Sequence, residues 1–147
     1  MNRIISKTAV LLIGHGSSCP EVKSAFCALA DLVRAAGGNK LVETAFLSCG
    51  EPDISCGIAR CVAQGAQRIV LCPYFLFAGS HVRNDLPAAM VAAGQRYPRL
   101  ELLLAEPLGV HPKLAEVVDE RVALVLDGPT AIAESSGLDG AQQEPVE

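Results

Sequence analysis

Four apolar runs of strand length alternate along this chain with four stretches of helical period, and glycine or proline marks the junctions. The first run, Ala9 to Ile13, stops abruptly in Gly14-His15-Gly16-Ser17-Ser18. Residues 20–36 then place Val22, Ala25, Phe26, Leu29, Leu32 and Val33 at helical spacing, and Gly37-Gly38 closes that helix. Ser18 followed by Glu21 reads as a capping box at its start. Leu41–Leu47 is the second strand, and Glu51-Pro52 opens a second helix with proline in its first turn, ending at Gly65. Arg68–Phe75 is nearly continuous in apolar residues, as expected of a strand covered on both faces. Pro87 is awkward deep in a helix. His81 is therefore expected on a loop or irregular first turn, with the regular helix running from near Asp85, its cap, to Gly94. Leu100–Ala105 is the fourth strand, and His111-Pro112 begins a last helix that Gly128-Pro129 ends.

Strand–helix alternation of this kind implies a parallel sheet, helices on both faces and right-handed crossovers. The expected architecture is a three-layer α/β/α domain over residues 1–128, with four strands in the flavodoxin-like order 2-1-3-4. Residues 129–147 are small, polar and acidic and read as a disordered tail. A chain of 147 residues can bury a core without staples, and half of it is hydrophobic but only 4 % aromatic, so Ala, Val, Leu and Ile must fill the interior. The formal charge of −4 misleads. Five acids and no base follow Leu126, which leaves 11 of the 16 acids against all 12 bases in the body. Such a near-neutral body without a basic run does not suit nucleic acid. No apolar run is long enough to span a membrane. The basic-then-apolar N-terminus lacks a convincing cleavage site, so the expected residence is the cytoplasm. The six cysteines (19, 27, 49, 56, 61, 72) contain no C-x-x-C pair and read as buried, reduced thiols.

In the order 2-1-3-4, strands 1 and 3 are neighbours, and ligands bind where the order reverses, beyond the strands' carboxyl ends. The loops after those two strands carry His15 and His81. Two imidazoles do not make a closed structural zinc site, which needs four ligands, but they suit an open site that a substrate completes. The alternative is that each merely hydrogen-bonds at a helix start. Gly14 and Gly16 allow a tight turn and close approach of a ligand. Ser17 is a candidate anion contact beside helix N–H groups, and Arg83 a candidate carboxylate clamp. His111, at a helix start next to Pro112, fits a structural role better than a metal site.

Four blocks carry a resemblance: Gly14-His15-Gly16-Ser17; VETAFL (42–47) with Glu51-Pro52; PYFLFAGSHVRNDLP (73–87); and LGVHP (108–112). In this order and spacing the chain resembles the small CbiX-type sirohydrochlorin chelatases over residues 8–126. The resemblance implies a chelatase-like α/β fold. It also implies insertion of a divalent metal into sirohydrochlorin on the way to cobalamin or siroheme: cobalt first, iron next, nickel also open. His15 and His81 would be the metal-handling, catalytic pair, with Gly14, Gly16, Ser17, Gly79, Ser80 and Arg83 at the substrate and Lys113 as a further cation. The metal is then a substrate, no organic cofactor is expected, and a homodimer would build the full cleft. Related sequences commonly carry an acid where this chain has Ser48, so Glu51, Cys49 or water must stand in. Two other readings remain open: a non-catalytic tetrapyrrole or metal carrier, and a phosphate-binding module, against which the absence of a longer glycine loop counts.

Overall fold

The computed structural model describes residues 7–37 and 41–128. Gly38 and the tail from residue 129 lie outside the described residues. The elements are β1 (Thr8–Gly16), α1 (Pro20–Ala36), β2 (Leu41–Cys49), α2 (Ile54–Ala63), β3 (Arg68–Pro73), α3 (Ser80–Arg96), β4 (Glu101–Leu104) and α4 (Pro112–Leu126). The chain divides into two compact units, one up to Gly109 and one from Val110 onward that contains α4.

In the first unit all strand pairs are parallel, as the alternation predicts, and the order is β2-β1-β3-β4, the flavodoxin-like order expected. Successive side chains of a strand point to opposite faces. Ala9, Leu11 and Ile13 of β1 meet Ala45, Ile69 and Leu71, under Ile58 and Cys61 of α2 and Val82 and Leu86 of α3. Leu12 points the other way, with Val42 and Phe46, under Phe26 and Ala30 of α1. Helices on both faces make the three layers and explain why β1 has no polar alternate residues. Gly57 lets α2 sit close on β1: a Cβ there would lie 2.7 Å from Leu11 Cδ1. Leu11, Ile58, Ile69, Leu71 and Leu86 are essentially fully buried, and truncating any of them to alanine costs roughly 2–5 kcal/mol.

Three helix starts differ from expectation, each for a local reason. Pro20 takes the first position of α1, the place proline favours, so Cys19 and not Ser18 is the N-cap, and no capping box forms. Pro52 precedes α2, whose N-cap is Asp53, a residue well suited to that place; its carboxylate accepts from the Cys56 backbone N–H at 2.7 Å. Two N–H bonds from Cys56 and Ser55 and one from the Cys56 thiol, that from the Cys56 backbone first, hold the Asp53 carboxyl below its usual range. In α3, Gly79 is the N-cap, regular helix begins at Ser80, and Pro87 lies inside. Asp85 is therefore an internal residue and not a cap. Proline there deletes one helical N–H, at a cost of about 3 kcal/mol. Val82, Leu86 and Ala93, all buried in the core, hold the helix through it.

The cysteines also depart from expectation. Cys61 is buried and Cys72 partly so, but Cys19, Cys27, Cys49 and Cys56 are exposed, and all six are free thiols. Burial pushes the Cys61 thiol up to about 12. Among the described residues no helix is long and apolar enough to cross a membrane.

Candidate functional site

His15 stands at the carboxyl end of β1, a central strand, between two glycines that packing demands. A Cβ on Gly14 would lie 3.1 Å from Phe26 Cζ. Gly16 has φ +97°, and a Cβ there would come within 1.8 Å of the Cys49 carbonyl oxygen. Gly14 pairs with Phe46 but Gly16 pairs with Cys49, so β2 holds one extra residue opposite His15. Irregularities of this kind re-aim side chains at strand ends. Ser48 lies in that extra segment, and its Oγ is 3.5 Å from His15 Nε2. The imidazole is exposed to solvent and stands edge-on to Phe75, with ring centroids 6.5 Å apart.

The turn after His15 is held by its own side chains. Ser17 Oγ accepts from the Cys19 N–H at 3.1 Å, leaving the Ser17 O–H as a donor. The Cys19 thiol donates to Glu21 Oε2 at 2.7 Å, and this bond holds the Glu21 carboxyl below its usual range. Glu51 is exposed just past β2, beside Cys56. The Cys56 thiol is pushed up, chiefly by its hydrogen bond to Asp53 and least among the raising causes by the charge of Glu51.

After β3 the chain passes Tyr74, whose N–H donates to the Ile13 carbonyl at 2.8 Å, tying the β3 exit to the end of β1. At Gly79 a Cβ would meet nothing within 4 Å. Ser80 and His81 are the first two residues of α3, and no side chain caps that helix. Its first N–H groups lack intrahelical partners and so present partial positive charge at this corner. Arg83, one residue pair further, is exposed. The imidazole of His81 lies outside what the structure describes. Backbone placement alone puts His81 after the strand that neighbours β1.

The second unit accounts for His111 structurally. It is the N-cap of α4, and its Nδ1 accepts from the Lys113 N–H at 3.1 Å; Lys113 itself is exposed. Among the described residues no group of three or more His, Cys, Asp or Glu side chains is arranged to hold a metal. A cavity of about 490 Å³ opens beside His15, lined by Gly14 and Gly16 and by apolar residues of α1, β2 and the β3 exit. Sequence reasoning missed Tyr74 and Phe75 at this site. Aromatic residues just past a central strand were the available signal.

With one exposed imidazole at the switch point and a second histidine following the neighbouring strand, the arrangement matches the four sequence blocks. The CbiX family profile matches residues 9–125. This chain belongs to the CbiX family. It is 31 % identical over 121 residues to the chloroplastic sirohydrochlorin ferrochelatase of Arabidopsis thaliana, covering 82 % of this chain and 54 % of that one. It is 35 % identical over 114 residues to the sirohydrochlorin cobaltochelatase of Priestia megaterium, covering 78 % of this chain and 37 % of that one. The fold is similar to the crystal structure of the sirohydrochlorin chelatase SirB from Bacillus subtilis subspecies spizizenii in complex with cobalt. The TM-score is 0.74 and the identity 30 %, over 79 % of this chain and 50 % of that one. The chain thus spans about half or less of the length of these relatives.

Proposed function

We propose that this CbiX-family chain inserts a divalent metal into sirohydrochlorin, in the cytoplasm, with His15 and His81 handling the metal. The observation that carries the reading is the exposed imidazole of His15 at the carboxyl end of a central strand. Metal insertion into a tetrapyrrole expels two pyrrole protons, so the site needs a base and a weak, open perch for the metal. Imidazole serves both needs, because it takes up protons near neutrality and ligates borderline metals. A fuller set of protein ligands would trap the cation. Ser48 places a neutral hydroxyl 3.5 Å from His15 Nε2, so Glu51, Cys49 or water must supply any acid the reaction needs there. The open N-terminus of α3, with Gly79, Ser80 and Arg83, is suited to substrate carboxylates. Gly14, Gly16 and Ser17 supply the wall on the β1 side.

Relatives about twice as long support a cleft completed by a second copy, so the working form is a homodimer. Cobalt is the favoured metal and iron the second. A non-catalytic carrier of the same fold is the competing reading, and Ser48 in place of an acid is the observation that favours it. Sirohydrochlorin in tenfold excess, mixed anaerobically with the protein and Co²⁺ or Fe²⁺, separates the two by its absorbance spectrum. Conversion of many equivalents per protein is expected. A spectral change that stops at one equivalent identifies a carrier, and no change beyond the protein-free rate removes both.

A further inference from the structure

We propose that a cavity between the carboxyl ends of α2 and α3 is a second ligand site, for a small organic dianion whose acidic group meets Arg96 and Arg99. The cavity lies at the amino ends of β3 and β4, where Thr8 of β1 pairs with Arg68. His15 stands at the other end of β1. At a rise of ~3.3 Å per residue the two places are about 20 Å apart, so binding here is separate from the proposed function. The space is about 560 Å³, within the range of small-molecule sites. Buried Ala66 and half-buried Val62 and Leu100 form its apolar side.

Local structure holds both cations in place. The Arg96 guanidinium lies over the Tyr97 ring, 5.5 Å from its centroid, an attraction between cation and ring face. Arg99 belongs to a turn that the Leu100 N–H closes on the Tyr97 carbonyl at 2.9 Å, with Pro98 at the position proline favours. Gln67, on the opposite wall, is pinned at both backbone groups. Its N–H donates to the Lys7 carbonyl at 2.9 Å, and its carbonyl accepts from the Glu101 N–H at 3.0 Å. No acid lines the cavity, and the neighbouring Glu101 carboxylate is bonded to Arg68 at 2.6 Å. Among the described residues neither Arg96 nor Arg99 forms an ion pair. Two exposed guanidiniums without a carboxylate repel each other, and an anion bound to both relieves that repulsion. The carboxyl ends of α2 and α3 carry partial negative charge, which disfavours an acidic group deep in the cavity. That group therefore stays toward solvent, forked by the arginines, while a ring or alkyl body covers Val62 and Leu100. Phosphate monoesters and dicarboxylates share this chemistry.

Calorimetric titration of the full chain at low salt tests the site with AMP, isophthalate and adenosine as probes. At least one of the two anions should bind once per chain with a Kd tighter than about 1 mM. Binding of AMP alone identifies a phosphate as the acidic group, and binding of isophthalate alone a pair of carboxylates. Adenosine, which has the body of AMP without its charge, should bind at least about tenfold more weakly than AMP wherever AMP binds. Arg96→Gln and Arg99→Gln, both at exposed positions, should each weaken the anion that binds by about tenfold or more. Arg121→Gln, an exposed arginine of α4 outside the cavity, should keep the wild-type Kd. Failure of both anions to bind overturns the proposal, as does an unchanged Kd in both cavity variants or an AMP affinity no better than that of adenosine. Arg96 would then serve only to offset the negative end of α3. None of these titrations uses sirohydrochlorin or a metal, so their result stands whatever the outcome of the metallation assay.

Discussion

The helices that follow the edge strands start differently from those that follow the central ones. After β2 and β4, side chains finish the helix ends: the Asp53 carboxylate caps α2 and His111 Nδ1 caps α4. After β1 and β3, neither α1 nor α3 has a side-chain cap. Capping contributes about 1 kcal/mol, so an uncapped start forgoes stability that Ser, Asp or Asn would supply. The two starts that forgo it are those carrying His15 and His81, at the reversal of strand order where such sheets bind ligands. The corners after the edge strands are finished by side chains, and those after the central strands are not.

Substitutions at the four corners should separate these roles, and Gly16→Ala should have the largest effect. A Cβ at Gly16 collides with the Cys49 carbonyl from a positive φ, so a stability loss of about 2–3 kcal/mol is expected in a denaturant melt. A normal midpoint would mean that β2 relaxes freely and that the corner is not held by packing. Next, Asp53→Ala should cost about 1 kcal/mol without changing metallation. Asp53 titrates below its unfolded value, so its contribution is complete above the unfolded pKa near 3.9 and disappears as pH falls through the lower folded value. The gap between wild type and Asp53→Ala should therefore close only in acid. His111→Ala should cost roughly 0.5–1 kcal/mol, by the same capping argument. Smallest is Gly79→Asp, which adds a cap to α3: a gain of a few tenths of a kcal/mol is expected, with a raised KM for sirohydrochlorin. A gain in stability with unchanged KM would show that the open α3 terminus is not spared for substrate.

Much of this arrangement is legible in the residues. The parallel sheet follows from the alternation together with crossover handedness, its order 2-1-3-4 comes from likeness to flavodoxin-like sheets, and His15 stands out because glycines flank it at the end of an apolar run. What escapes the sequence is what distant parts of the chain decide. Pro87 argues locally for a late start to α3, but burial of Val82 and Leu86 outweighs it. Ser18 and Glu21 have the spacing of a capping box, yet the preference of Pro20 for the first helical position displaces the cap by one residue. The approach of Ser48 to His15 depends on one extra residue in β2, and no local pattern announces it. Four exposed cysteines contradict the usual burial of that residue, and nothing in their spacing marks them.

The central claim is that His15 and His81 act on one metal as a unit, and a double-mutant cycle on sirohydrochlorin metallation tests it most directly. Each single alanine variant, its fold confirmed by circular dichroism, should lose about 10²–10⁴ in kcat/KM. The double variant should lose little more than the worse single one, because groups that act together are not additive. Losses that multiply, or a single variant with wild-type activity, would contradict a shared metal and leave the two histidines as separate residues at neighbouring helix starts.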